Sequence, residues 1–241
     1  MSVPPGYVEY WNKGTEGVLL ASLEAPLRAA VAGGSFYGYA EHHPQARTFT
    51  GRGVAYAVPL PEGAADVVIR RSRHGGLLAA LTGDKFFGAT RAPKELEISL
   101  TLQRRGVPTP EVVAYATYPA DALRRRADVV TREVPHSRDL LAALTGADAS
   151  VKVAAAKATG QLLRQLAEAG ARHPDLNVKN ILLANAANGA FEAYVLDVDR
   201  VWFDQANAPR VFEANWRRFH RSMQKRRAEI GGGFDIFSSF P

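Results

Sequence analysis

The chain has 241 residues, is 46% hydrophobic and 22% charged, and carries a formal net charge of +6 with no cysteine. The missing thiols exclude disulfide staples, zinc–thiolate centres and a cysteine nucleophile, and no tract reads as disordered or repetitive. The length supports one sizeable core or two lobes sharing a cleft, and a basic balance favours anionic partners such as nucleic acid, phosphorylated small molecules or a membrane surface.

The opening "MSVPPGYVEYWNKG" has no basic segment followed by an apolar one, so no signal peptide is read there. The apolar stretch 17–34 is interrupted by Glu24, Pro26 and Arg28, and no window reaches the roughly 18 apolar residues of a membrane span. A soluble, cytoplasmic protein is expected, with surface attachment to a membrane open. "TFTGRGVAYAVPL" (48–60) reads as a strand, a glycine turn and a second strand, and "ADVVIRRS" (65–72) as another strand. The spacing over 90–106 predicts a helix, with Pro93 in its first turn and Gly106 at its stop. Strands follow at 107–119 and 127–134. After a break at 135–137 come a short helix at 138–146 and a long Ala/Leu-rich helix at 149–170. "NILLAN" and "AFEAYVLDVDR" flank an Asn188-Gly189 turn as a hairpin, and "NWRRFHRSMQKRRAE" (215–229) is a basic helix. The expected organisation is α+β and bilobal: a β-rich N-lobe over 1–135 and a mostly helical C-lobe over 136–241, with a hinge near 134–138.

A dense polar cluster occurs at "HPDLNVKN" (173–180), followed at once by an apolar run. Phosphoryl transfer from a nucleotide asks the protein for a carboxylate at the acceptor hydroxyl, oxygen ligands for a divalent metal, and a clamp on the phosphates. Asp175 with Asn180 five residues later has the spacing of the protein-kinase catalytic loop, with Pro174 in place of the arginine. In this reading Asp175 accepts the hydroxyl proton, Asn177 is a neutral donor near the transferred phosphate, and Asn180 binds metal. Asp197, ending an apolar strand seventeen residues on, is the main metal ligand; Asp199 either adds charge beside it or caps the turn. Magnesium suits such hard oxygen donors. Upstream, Gly51, Arg52 and Gly53 open a glycine-rich phosphate loop in which Tyr56 replaces the third glycine. Arg70 takes the phosphate-clamping position, and Glu95 is the candidate that orients it. Singly, each has a plainer role: a turn, an exposed strand arginine, a first-turn glutamate. Their joint order carries the reading.

The sequence also resembles the bacterial lipopolysaccharide kinases, and among them the 3-deoxy-D-manno-octulosonic acid (Kdo) kinases, from about Gly51 to Lys225. The resemblance rests on "IRRSRHGGLLAALTGDKFFGATRAPKELEIS", "GVPTPEVVA", "HPDLNVKNILL", "VLDVDR" and "NWRRFHRSMQK". It implies a bilobal protein-kinase-like fold and transfer of phosphate from ATP, with Mg2+, to a Kdo hydroxyl on a lipid A precursor. It further implies work at the cytoplasmic face of the inner membrane, peripherally, on an anionic glycolipid of the Kdo–lipid A type. Arg71, Arg73 and Arg91 are then candidates for the acceptor's anionic groups. No nucleic acid and no obligate protein partner are expected. Competing readings are a kinase for another core sugar such as heptose, a soluble aminoglycoside-type phosphotransferase, a protein kinase and a non-catalytic nucleotide-binding module. The aminoglycoside type shares the loop but not the "RHGG…DKFFG…TRA" block. A protein kinase needs more chain than the 44 residues after Asp197, and a binding module has no use for an acceptor-side carboxylate.

Overall fold

The computed structural model describes residues 3–50, 53–72, 84–186 and 190–231. The chain divides into two compact units: Met1–Glu97 with Glu111–Glu133, and Ile98–Pro110 with Val134–Pro241.

The first unit is built on an eight-stranded antiparallel sheet. β1 (Tyr7–Asn12) and β2 (Thr15–Leu20) form a hairpin across Lys13-Gly14, both at positive φ, the backbone that a two-residue hairpin turn requires. Two short helices follow, α1 (Glu24–Val31) and α2 (Phe36–Glu41), the second capped by Ser35, whose Oγ accepts from the Gly38 amide at 3.0 Å. The sheet continues through β3 (Arg47–Thr50), β4 (Val54–Pro59), β5 (Asp66–Arg71) and β6 (Phe86–Phe87). Beyond α3 (Ala92–Arg104) come β7 (Val112–Pro119) and β8 (Arg124–Arg132). Strand order is β1-β2-β7-β8-β5-β4-β3, with β6 on β8. Leu27, Val31, Phe36 and Ala40 pack on Leu19, Val67, Ile69, Val113 and Val130, so α1 and α2 seal one face. Alternation along β5 puts Val67, Ile69 and Arg71 on one side and Val68 and Arg70 on the other.

In the second unit β9 (Ser137–Asp139) leads into α4 (Leu140–Leu144) and α5 (Ala149–Glu168). β10 (Ala171–Arg172) pairs with β13 (Trp202–Phe203); β11 (Ile181–Asn185) lies between β12 (Phe191–Val195) and β9. α6 (Pro209–Lys225) and α7 (Arg227–Ile230) close the described chain. Leu140, Leu144, Leu162, Leu166, Ile181, Leu183, Val195, Phe219 and Met223 form the core.

The helix expected at 138–146 starts later: residues 137–139 bond to β11, and Asp139 turns from strand to cap, its Oδ1 accepting from the Ala142 amide at 2.9 Å. The basic helix starts earlier than expected, because Pro209 supplies a preformed first turn, and it ends at Lys225. The strand expected over 107–119 begins only at Val112, after Pro108 and Pro110. The expected Asn188-Gly189 turn lies outside the described residues, as do Gly51, Arg52, Arg73, His74, Gly75 and Gly76.

Candidate functional site

The segment 173–180 is a loop tied down from within. His173 is buried at 1% exposure. Its Nδ1 accepts from the Asp175 amide at 3.2 Å, and a backbone amide can only donate. The ring proton therefore sits on Nε2, which donates to the Leu196 carbonyl at 2.9 Å. One neutral imidazole thus joins the backbone of Asp175 to the residue just before Asp197. Burial holds that imidazole below its ordinary range; the Leu196 carbonyl and the carboxylates of Asp197, Asp175 and Asp199 pull the other way.

The two asparagines fix the loop's far side. Asn177 Nδ2 donates to the Asp175 carbonyl at 2.9 Å, and Asn180 Nδ2 to the same carbonyl at 2.8 Å. Asn177 Oδ1 accepts from the Lys179 amide at 2.9 Å. A carbonyl only accepts, so the second bond orients the Asn180 amide and turns Oδ1 away from the loop. Asn180's own carbonyl accepts from the Leu196 amide at 2.9 Å, a second link between the loop and the Asp197 strand. Asp197 itself has φ 58° and ψ 49°, the left-handed region that costs most side chains energy and that Asp tolerates better than most. It ends the extended run and starts the 3-10 turn Val198–Arg200.

This donor set fits magnesium. An amide oxygen oriented by its own Nδ2 bond and a carboxylate carried on a constrained backbone are the hard ligands it takes. Among the described residues no group of three His, Asp or Glu side chains forms a self-contained metal cage. A magnesium ion that shares its shell with nucleotide phosphates and waters needs only one or two carboxylates.

Several supporting residues escaped the sequence reading. Asn215 of α6 is buried at 1% exposure; its Oδ1 accepts from the His173 amide at 3.0 Å, and its Nδ2 donates to the Ala171 carbonyl at 2.9 Å. Ser222, two turns on, accepts from the Val178 amide at 3.2 Å. Thr109 Oγ1 donates to the Val195 carbonyl and the Pro108 carbonyl accepts from the Val195 amide, each at 2.9 Å. A signal existed: Val211, Asn215, Phe219 and Met223 recur every four residues, and an asparagine in an apolar seam must satisfy its amide inside.

In the first unit Arg70 and Glu95 are brought together. Arg70 Nη2 donates to Glu95 Oε1, with the glutamate buried in the first turn of α3. Gly53 precedes β4, opposite the end of β3. Arg71 is turned to the face sealed by α2. Its guanidinium carbon lies 4.0 Å from the centre of the Tyr37 ring, and its Nη1 donates to Asp84 at 3.3 Å. Beside it Asp128, wholly buried, accepts from the Tyr37 amide at 2.9 Å and the Tyr118 hydroxyl at 3.0 Å. Burial pushes the Asp128 carboxyl up to about 6, against those two bonds and the Arg71 charge. Arg91 is half-buried just before α3, and its carbonyl accepts from the Glu95 amide at 3.0 Å.

Residues 45–231 match the model of the lipopolysaccharide kinase (Kdo/WaaP) family. A 3-deoxy-D-manno-octulosonic acid kinase of Xanthomonas oryzae pv. oryzae is 34% identical over 188 residues, covering 76% of this chain and 70% of the relative. One from Vibrio cholerae serotype O1 is 27% identical over 200 residues, with 79% and 80% covered. Among solved structures, WaaP in complex with acyl carrier protein superposes with a TM-score of 0.52 at 18% identity, over 82% of this chain and 78% of that one. That likeness shows a shared α+β kinase-like fold.

Proposed function

The chain belongs to the lipopolysaccharide kinase (Kdo/WaaP) family, and we propose that it phosphorylates a hydroxyl of a Kdo residue on a lipid A precursor, at the expense of ATP. The observation that carries the reading is the His173 bridge, which locks the loop bearing Asp175 to the strand end bearing Asp197 through two bonds to a single neutral ring. A binding protein has no need of that lock. An enzyme that must hold a base and a metal ligand in one fixed relation does.

In this reading the Asp175 carboxylate receives the proton of the acceptor hydroxyl as its oxygen bonds to the terminal phosphorus and the bond to ADP breaks. Asn177 and Asn180, both anchored on the Asp175 carbonyl, keep that carboxylate's backbone from swinging. Asn180 Oδ1 and the Asp197 carboxylate would hold magnesium, which when bound offsets phosphate charge. In the first unit Arg70, oriented by buried Glu95, is assigned to nucleotide phosphate, and Gly51, Arg52 and Gly53 to the loop that covers it. Arg91 and Arg73 are assigned to the acceptor. Arg71 is assigned to packing, because Tyr37 and Asp84 already hold its guanidinium. The acceptor is a membrane glycolipid. No helix among the described residues is long and apolar enough to cross a membrane, so the reading has the protein meet it peripherally.

The test is direct. Purified protein, ATP, magnesium and a Kdo–lipid A acceptor in detergent are incubated, and the lipid is analysed by tandem mass spectrometry. One added phosphate on Kdo is expected. A phosphate on another sugar, or transfer only to soluble aminoglycosides, would replace this reading.

A further inference from the structure

α6 has two working faces. Its inner seam, Val211, Asn215, Phe219 and Met223, is buried, and from it Asn215, with neighbouring Ser222, bonds to the 173–180 loop. Its outer face carries Arg210, Arg217, Arg218, Arg221 and Lys225, all exposed, against a single acidic residue of the helix, Glu213. Arg210 pairs with Asp204 and Arg217 with Glu213. Among the described residues Arg218, Arg221 and Lys225 form no ion pair. A basic run on the sheet behaves differently: Arg124, Arg125 and Arg126 of β8 are met by Asp121, Glu16 and Asp84. Three cations that form no ion pair among the described residues thus stand together on one helix face. Phe212, Trp216 and His220 stack along the inward side, with ring centres 6.5 and 5.9 Å apart; Phe212 and Trp216 pack on the core and leave the outer face to the cations.

We propose that this outer face of α6 is the surface by which the protein docks on an anionic bilayer. The inference rests on the glycolipid reading above and adds the surface that reading lacks. Exposed cations without ion pairs, lined up along one helix face, complement the continuous negative charge of anionic headgroups. An acidic protein would match the charge, but the glycolipid acceptor of the reading above lies in a bilayer, and the attachment serves that acceptor. The apolar seam is already spent on the core, so the attachment is electrostatic and reversible rather than an insertion. Because the inner side of the same helix holds the 173–180 loop, docking by the outer face keeps that loop at a fixed distance from the membrane.

The experiment compares the full chain with the triple variant Arg218→Gln, Arg221→Gln, Lys225→Gln on vesicles of phosphatidylcholine with and without phosphatidylglycerol. Each cation near such a surface is worth about a fivefold factor in partitioning, so the variant should bind anionic vesicles roughly 100-fold more weakly. Wild-type binding should fall as salt shortens the range of the attraction. The three side chains are exposed, so the variant's melting temperature and its transfer to a detergent-solubilised acceptor should be unchanged, while transfer to the same acceptor in anionic vesicles falls. Unchanged vesicle binding by the variant overturns the proposal. So does a variant that keeps vesicle binding but loses affinity for an acidic acyl carrier protein. Wild-type protein that phosphorylates the solubilised acceptor yet ignores anionic vesicles sinks the surface and leaves the function standing. Vesicle binding without transfer to any Kdo acceptor sinks the function instead.

Discussion

At the residue scale, the side chains proposed to perform chemistry and those that hold them in place predict different defects. Asp175→Ala should lower turnover by about 10²–10⁴-fold while ATP binding stays near wild type, since in the proposed reading only the proton acceptor is lost. Asp197→Ala should weaken nucleotide binding in the presence of magnesium and leave the metal-free value unchanged. Calorimetric titration with and without magnesium separates the two; equal defects would collapse the division of roles. Asn215→Ala belongs to the supporting class. It strands the buried His173 amide and Ala171 carbonyl, each costing about 1–3 kcal/mol when unpaired. A lower melting temperature and a lower turnover are expected together, with the KM for ATP little changed. Asp175, Asn180 and Asp197 could be singled out by their order and spacing, and the structure links their segments through His173 and the Asp175 carbonyl. Asn215 was hidden because it lies 42 residues from the histidine it serves. Arg70 and Arg71 look alike in sequence, and only the pleat of β5 sends one toward Glu95 and the other under α2.

Elements were legible where the period was long and lost where it was short. α5 and α3 declared themselves over twenty and thirteen residues. The first fifty residues did not. α2 is only six residues, "FYGYAE", with a glycine inside, and it stands because Ser35 caps it and Phe36 and Ala40 are buried. β9 is three residues that exist as a strand only because β11 offers them partners. Gly170, read from sequence as a helix stop, does more than end α5. Its φ is +68°, and a Cβ there would lie 2.3 Å from the Asp204 carbonyl oxygen. The Asp204 amide in turn donates to the Gly170 carbonyl at 2.8 Å, so this close approach ties the start of β10 to the end of β13. Gly170→Ala should cost at least about 2 kcal/mol by denaturant unfolding, since left-handed alanine alone costs roughly 1–2. Turnover should fall as well, because the next elements lead into the 173–180 loop. A variant as stable as wild type would mean that the segment shifts freely, and that Gly170 is only a stop signal.

At the scale of the whole molecule, Asp128 in the first unit and His173 in the second are titratable groups sealed in the interior, and the two respond to acid with opposite signs. In the second unit His173 is buried neutral, with its pKa below the unfolded value of about 6.5. Its contribution is complete above that value and is lost as pH falls toward the folded pKa, because the unfolded chain then binds the extra proton. In the first unit Asp128 has its pKa raised from 3.8 to about 6. Its contribution is complete below the unfolded value and is lost as pH rises through about 6, on the order of 3 kcal/mol across the window. Lowering pH from 7 to about 5 should therefore loosen the 173–180 loop and α6 while tightening β5, β8 and α2. Hydrogen-exchange protection factors, corrected for the intrinsic rate at each pH, read the two regions separately. Asp128→Asn isolates one side of the effect: it retains an acceptor for the Tyr37 amide, and its Nδ2 can donate to Tyr118 once that hydroxyl turns. This variant should gain stability over wild type as pH rises from 4 to 7, with the acid response of the His173 region unchanged. Protection that falls in step across both regions, or a stability difference between Asp128→Asn and wild type that does not vary with pH, would show that the Asp128 carboxyl is not held protonated by its burial.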